Sequence, residues 1–348
     1  MTADAGLVAA LERAHYHPLW TRYKAITPLA PGARDEPMLW RWRDFLPFTE
    51  RAAREIPIEE VERRAIIMVN PAFGGQTATT ANLLAAFTIL EPGDRAVPHR
   101  HTAAAIRFAT DAEGAVTIVN GRRCEMHAGD LVLTPPWCWH GHINEGGKRT
   151  FWFDSGNMPL LCALDANFFQ PGSRADEPFW QVGAAEETAW TASGLRPWRD
   201  APGAADGMAP EPRNGAAPPP KFRYPGEDTR RALAAMPAGH DGARTLRYVN
   251  PATGGPVMPT MDCYAVRLAA HAATQPRRAT SNAICLVVAG EGRSTVGDRR
   301  FEWSRHDVFT VPHWTWASHE ALGGTADLFI VTDGAVMEAL GLLRIETQ

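Results

Sequence analysis

Apolar residues along most of this chain come in short runs broken by Gly, Pro and Asn. The runs "AAIRFAT", "AVTIVNGRRCEM" and "DLVLTPP" lie in the first half, and "YAVRLAA", "NAICLVVAGEGRS", "DVFTVPH" and "ADLFIVTDG" in the second. Such runs predict short antiparallel strands of a sandwich or barrel, not alternating β and α units. Helical spacing is confined to a few segments: "GLVAALERA" and "IPIEEVERRAII" near the start, "EDTRRALAAM" in the middle and "DGAVMEALGLLRIE" at the end. The pattern predicts an all-β core with a few peripheral helices.

Two echoes divide the chain. "MVNPAFGG" (Met68 to Gly75) returns as "YVNPATGG" (Tyr248 to Gly255), and "GDLVLTPPWCWHGH" (Gly129 to His142) as "HDVFTVPHWTWASH" (His306 to His319). Asp130 matches Asp307, Pro135 Pro312, Trp137 Trp314, Trp139 Trp316 and His142 His319. Repeats this far apart, in the same order, point to a duplicated domain. The Pro-, Gly- and Ala-rich stretch Arg196 to Gly226 between the copies is expected to be a linker or extended arm. The expected organisation is an N-terminal helical arm (1–60), a first barrel (61–195), a linker with a short helix (196–240) and a second barrel (241–348).

Composition narrows the function classes. The 348 residues carry a net charge of -4 with scattered arginines, which argues against a nucleic-acid surface. Five cysteines without a C-x-x-C spacing suit reduced thiols, and neither a signal peptide nor a membrane span is read, so a cytoplasmic protein is expected. Cys124 and Cys138 read as small buried hydrophobes, and Trp40, Trp42, Trp137, Trp139, Trp314 and Trp316 as packing residues. His15, His17, His240, His306 and His313 read as structural or exposed.

"PHRHT" (Pro98 to Thr102) carries the chemistry. In an extended strand His99 and His101 share a face while Arg100 turns away, which offers two imidazoles to one metal. From Gly93 five residues precede His99. From Gly129 five precede Pro135, with His140 five further on and Asn144 beyond it. This spacing resembles the two-part motif of the cupin barrel, G-x(5)-H-x-H and G-x(5)-P-x(4)-H-x(3)-N. The resemblance, not the spacing, implies antiparallel jelly-roll barrels in which the segments converge and His140 is the third ligand. Imidazoles suit Fe(II), and also Ni, Cu and Zn.

Where cupins usually place a glutamate after the second histidine, this chain has Ala105 and Ile106. That three-histidine face looks like the gentisate and salicylate 1,2-dioxygenases. "LWRWRDFLP", "ERRAIIMVNP", "PHRHTAAAIRF", "LTPPWCWHGH", "FWFDSGNMPLLCALDANFF" and "FRYPGEDTRRAL" have counterparts in that family, in this order. The resemblance implies a bicupin holding one Fe(II) in the first barrel, a 2-hydroxybenzoate bound through its carboxylate and phenolic oxygens, cleavage of the ring between the carbons bearing them by O2, and a homotetramer. By the same resemblance Arg107 and Arg63 contact the carboxylate, His142 lies near the phenolic oxygen as proton donor or acceptor, and Asp154 is a pocket acid behind the site. Placed on one strand with the histidines, an even number of positions on, Arg107 is expected to point into their cavity.

The second copy reads "QPRRAT", with Arg277 and Ala279 at the two histidine positions and Ala317 at the third. A degenerate, metal-free barrel serving packing and assembly is expected there.

Departures from the gentisate enzymes fall at the ring pocket. Leu84 and Thr88 replace an aromatic residue and a glutamine, Ala86 stands where glycine or alanine occurs, and Gly141 replaces an aspartate expected close to the iron. They point to a salicylate with a non-hydroxyl 5-substituent, nitro or halogen, and a 5-nitrosalicylate 1,2-dioxygenase-like member, with gentisate as the alternative. A reading of another class is a non-catalytic bicupin that binds an aromatic acid, which the complete set of His99, His101, His140, Arg107 and His142 disfavours.

Overall fold

The protein is described here by a computed structural model, which describes residues 5–173, 175–180 and 221–348. Residues up to Gly32 form one compact unit, with helices Ala5–Arg13 and Leu19–Ile26 that bury no residue. Ala33 to Gln348 form the other unit, which holds every strand.

In chain order the strands are β1 (Leu39–Trp40), β2 (Arg64–Met68), β3 (Leu84–Leu90), β4 (Arg95–His101), β5 (Ala105–Asp111), β6 (Ala115–Val119), β7 (Arg122–Glu125), β8 (Leu131–Thr134), β9 (His140–Asn144), β10 (Thr150–Gly156) and β11 (Phe169–Pro171). There follow β12 (Arg223–Tyr224), β13 (Ala243–Tyr248), β14 (Asp262–Leu268), β15 (Arg277–Ala279), β16 (Ala283–Ala289), β17 (Gly292–Val296), β18 (Arg299–Trp303), β19 (Val308–Val311), β20 (Ala317–Ala321), β21 (Ala326–Thr332) and β22 (Ile345–Thr347).

They form two jelly rolls. The first pairs a six-stranded sheet, β12-β8-β5-β10-β3-β2, with a five-stranded one, β11-β4-β9-β6-β7. The second repeats this with β1-β19-β16-β21-β14-β13 and β18-β17-β20-β15-β22. The bicupin architecture is as expected.

Alternation along the six-stranded sheets sorts the side chains between two cores. Phe87, Phe108 and Phe153 turn outward and cluster with Phe329, Val331 and Ile284 of the second barrel, Phe108 and Phe329 stacking at 4.3 Å. Residues one position away face inward, as Thr88, Arg107 and Trp152 do, and line the first barrel. The second barrel's interior is filled by Leu268, Cys285, Val287, Phe309 and Leu328.

Each six-stranded sheet is completed by a strand from an outlying segment. β1 pairs with β19 of the second barrel, Leu39 opposite Phe309, and β12 pairs with β8 of the first. The matched aspartates of the repeat secure both additions. Asp307 accepts from the Trp42 N–H at 2.7 Å, at the start of helix Trp42–Glu55, and Asp130 from the Gly226 N–H at 2.7 Å, at the start of helix Gly226–Ala235. A carboxylate there meets an orphan amide and the positive end of the helix.

Two helix expectations are corrected. "IPIEEVERRAII" holds only a 3-10 turn, Ile58–Glu60, before β2, whose Arg64 lies opposite Ile89. Pairing with a fully buried strand overrides the local charge spacing, and Ile66 and Ile67 suit a pleated surface. At the C-terminus the helix is limited to Gly334–Ala339, and the last residues pair as β22 with β15. Of the expected linker, residues 196–220 lie outside the described residues, as does the boundary near 195.

Candidate metal centre and carboxylate clamp

β4 and β9 are neighbours in the five-stranded sheet, with His99 directly opposite His140. Together with His101 they bring ligand nitrogens within 4.8 Å of one another, and this is the metal-capable cluster among the described residues. Ring centroids lie 4.3 Å apart for His99 and His140, and 4.8 Å for His101 and His140.

Each Nδ1 meets a backbone carbonyl: Val97 for His99 and Ala103 for His101, both at 2.7 Å, and Cys138 for His140 at 2.9 Å. A carbonyl can only accept, so Nδ1 carries the hydrogen and the lone pair is left on Nε2. His140 Nε2 is buried with no hydrogen-bond partner. Burial first, and then the charge of Arg63, pulls His99 down to about 3 and His101 to about 4. His140 and His142 are also lowered, chiefly by burial. Neutral imidazoles with free Nε2 atoms fit a borderline metal such as Fe(II).

Across the barrel a row of inward residues faces this cluster from the six-stranded sheet: Ala86, Asp154, Arg107 and Val132, each opposite the next. Arg107 is fully buried, and burial lowers its pKa to about 10, against the opposing pull of Asp154, so it stays cationic near neutrality. Its Nη1 donates to Thr134 Oγ1, its Nε lies 3.6 Å from Asp154 Oδ1, and Nε and Nη2 have no hydrogen-bond partner. Asp154 is held from its other side by the hydroxyl of Thr88. Two adjacent, buried, unsatisfied guanidinium N–H groups form a vacant fork for a carboxylate.

His142 is fully buried on the same face of β9 as His140, as alternation requires. Its Nδ1 lies 2.9 Å from Thr117 Oγ1, and its Nε2 is buried without a partner. Arg63 is half-buried, and its charge acts on His99, His101 and Arg107. Leu84, Ala86 and Thr88 are buried on the inward face of β3.

Two expectations need correction. Arg107 is not on the strand of His99 and His101: the chain turns at residues 102–104, and β4 and β5 belong to different sheets. The arginine faces the histidines from the opposite wall, not from beside them. Nor would an aspartate at position 141 approach the metal. Gly141 lies between inward His140 and His142 and faces out, where an added Cβ would meet Phe179 at 2.8 Å and Trp180 at 3.0 Å. Glycine here lets helix Glu177–Trp180 lie flat on the sheet.

Sequence reasoning missed Thr117, Thr134 and Phe169. The first two are hydroxyls that hold His142 and Arg107. Phe169, on β11 opposite His101, packs its ring 5.1 Å from His99 and is half exposed. Only register identifies them. Arg100 turns away, as expected, and lies over Trp137 and Trp139 at 4.5 and 5.0 Å. Arg278 repeats this over Trp314 and Trp316 at 4.3 and 4.6 Å.

In the second barrel Arg277 lies opposite Ala317, the same rung as His99 and His140. At the clamp, Cys285 lies opposite Ile330 where Arg107 lies opposite Asp154. His319 is retained, its Nδ1 2.8 Å from Ser294 Oγ. A histidine on a hydroxyl is therefore common to both barrels, fully buried in the first and half-buried in the second, while the triad and the clamp distinguish the first.

Known proteins bear on this geometry. A cupin-domain profile matches residues 86–156, from β3 through β10. The chain is 36% identical to a 5-aminosalicylate 1,2-dioxygenase of Comamonas sp., covering 96% of this chain and 87% of the relative. It is also 36% identical to a gentisate 1,2-dioxygenase of Streptomyces sp., covering 97% and 94%. The salicylate 1,2-dioxygenase of Pseudoaminobacter salicylatoxidans, solved as an adduct with gentisate, superposes with a TM-score of 0.85 at 31% identity, over 100% of this chain and 96% of that one. With that identity spread across both barrels, and a three-histidine face set against a buried arginine, the chain belongs to the gentisate and salicylate 1,2-dioxygenase family of ring-cleaving oxidoreductases.

Proposed function

We propose that this chain is an Fe(II)-dependent dioxygenase that opens the C1–C2 bond of a 2-hydroxybenzoate bearing a non-hydroxyl group at position 5, such as nitro or halogen. One observation carries the reading: a triad of neutral histidines faces a buried guanidinium with two unsatisfied donors, so an aromatic acid can meet the metal and the arginine together. His99, His101 and His140 would hold the iron, one per chain. When bound, Fe(II) supplies a centre that chelates the acid beside O2 and passes electron density from ring to oxygen.

The protein's own groups do the rest. Arg107, assisted by Arg63, takes the carboxylate and fixes the ring's orientation. Asp154 and Thr134 hold that guanidinium, and Thr88 holds Asp154. His142, with its buried Nε2 unpartnered, is suited to exchange a proton at the phenolic oxygen. The ring's far side meets the wall that holds Leu84 and Ala86, apolar side chains, and Thr88, whose hydroxyl is already committed to Asp154. Leu84 and Ala86 offer no polar atom to a 5-hydroxyl, and Thr88 has spent its donor on Asp154.

Gentisate is the second reading, favoured by the Streptomyces relative and by the gentisate adduct of the superposed enzyme. The second barrel is assigned to packing and assembly, and the chain to a cytoplasmic homotetramer. No helix among the described residues is long and apolar enough to cross a membrane.

The test is oxygen uptake after anaerobic Fe(II) reconstitution, with gentisate, salicylate and its 5-amino, 5-nitro and 5-chloro derivatives in parallel. Faster turnover of a 5-nitro or 5-chloro ring supports the proposal. A large preference for gentisate replaces it with the second reading, and no uptake by the iron-loaded protein overturns both.

A further inference from the structure

Between the two barrels lies a second cavity, of about 170 Å³, whose lining includes none of the triad and clamp residues. Phe108 and Leu233 border it from the first barrel and its docked helix, Tyr248, Ala265 and Phe329 from the second. A mainly apolar cavity of roughly 150 Å³ is enough to hold a benzene ring.

Its polar groups are short of acceptors. Tyr248 is buried, and its hydroxyl makes no close hydrogen bond, the Thr229 hydroxyl being the polar group beside it. Neighbouring Thr229 directs its own hydroxyl to the Pro225 carbonyl at 3.4 Å. Leaving a buried hydroxyl unsatisfied is costly, so a ligand acceptor there would be favoured. Two exposed arginines also border the cavity. Arg230 uses Nη1 on the Ala128 carbonyl at 2.9 Å, and Arg305 uses Nη2 on Asp111 at 3.1 Å, which leaves further N–H groups on each guanidinium. The acid on the wall, Asp327, is neutralised by Arg267 at 2.7 Å. His306, also on the wall, lies 3.7 Å from Asp111.

From the apolar walls, the weakly held phenol and the cationic border we infer that the inter-barrel cavity is a second ligand site, for a small aromatic carboxylate of benzoate size. The ring lies against Phe108 and Phe329, Arg230 and Arg305 draw the carboxylate, and Tyr248 supplies a donor. β5 carries Phe108 to this site and Arg107 to the other on opposite faces, so the sites are one residue apart along the chain. The inference does not depend on which ring the enzyme cleaves.

The test uses the full-length, iron-loaded protein. Crystals soaked anaerobically with 4-bromobenzoate should show bromine anomalous scattering beside Tyr248 and Phe329. Calorimetry with benzoate should show a component that is lost in Ala265→Phe, which fills the cavity, and weakened about tenfold in Tyr248→Phe and in the Arg230→Ala/Arg305→Ala double variant. Oxygen uptake by Ala265→Phe at saturating substrate should stay within about twofold of the parent, which verifies folding. Bromine confined to the histidine centre, or affinity unchanged in the Tyr248 and arginine variants, overturns the inference.

Discussion

Arg107 and Asp154 face each other across the β5–β10 ladder, Nε to Oδ1 at 3.6 Å, and both are buried in the barrel that holds the histidine triad. The pair leaves the guanidinium oriented but not saturated. Arg107→Lys keeps the charge and loses the fork, so kcat/KM for 2-hydroxybenzoates should fall about a hundredfold, the loss of one strong charge-assisted contact. Steady-state oxygen uptake measures it, and a change below threefold would remove Arg107 from carboxylate binding.

Thr88 donates its hydroxyl to Asp154, so its expected part is to support that carboxylate while its methyl faces the ring. Thr88→Val should cost about 1–3 kcal/mol by leaving a buried carboxylate oxygen without its donor. Activity should fall by a common factor, with the ratio of gentisate to 5-chlorosalicylate rates unchanged. Urea unfolding and paired rate assays test this, and a shifted ratio would return Thr88 to ring selection.

Removing one ligand should empty the centre. His140→Ala is expected to reduce iron from about one per chain to near zero under anaerobic reconstitution, and turnover with it, because two imidazoles cannot hold the ion against water. Metal analysis after desalting is the measurement. Retained stoichiometric iron would locate the centre elsewhere.

Acid should weaken the metal-free fold through its buried histidines. His99 is held near 3, and His101, His306 and His319 near 4, in each case chiefly by burial. Their ordinary value is about 6.5. The unfolded chain therefore binds more protons than the native one between these limits, and stability is lost as pH falls from about 6.5 towards 4. Urea midpoints of metal-free protein between pH 7 and 4.5 should fall monotonically, and a flat profile would mean that these imidazoles are solvated.

Gly141→Asp tests the outward-facing assignment. The carboxylate would collide with Phe179 and Trp180, lowering stability by about 1–3 kcal/mol while iron occupancy stays unchanged. Thermal unfolding and metal analysis together decide. Altered iron binding in an equally stable variant would place residue 141 at the metal after all.

Much of the fold was legible along the chain because jelly-roll strands alternate locally and the repeat displays each element twice. The triad was legible through the resemblance of its spacing to the cupin motif and through its joint loss at Arg277, Ala279 and Ala317. Reasoning within one strand failed in assigning Arg107 to the strand of His99, and the resemblance set an acid at position 141 beside the metal, where the residue faces out. It also read helix into "IPIEEVERRAII", whose conformation depends on β3 as partner.

The duplicated β architecture follows from periodicity and repeat order along the chain, and the three-imidazole barrel beside one without follows from the motif's resemblance to the cupins. That Arg107 opposes the triad from the other sheet, that Thr88, Thr117 and Thr134 orient the charged and imidazole groups, and that a second cavity lies between the barrels became visible in the folded chain alone. The physical reason is that strand pairing brings together residues far apart in sequence. A hydroxyl on β6 or β8 acquires its role only from the residue that register places beside it.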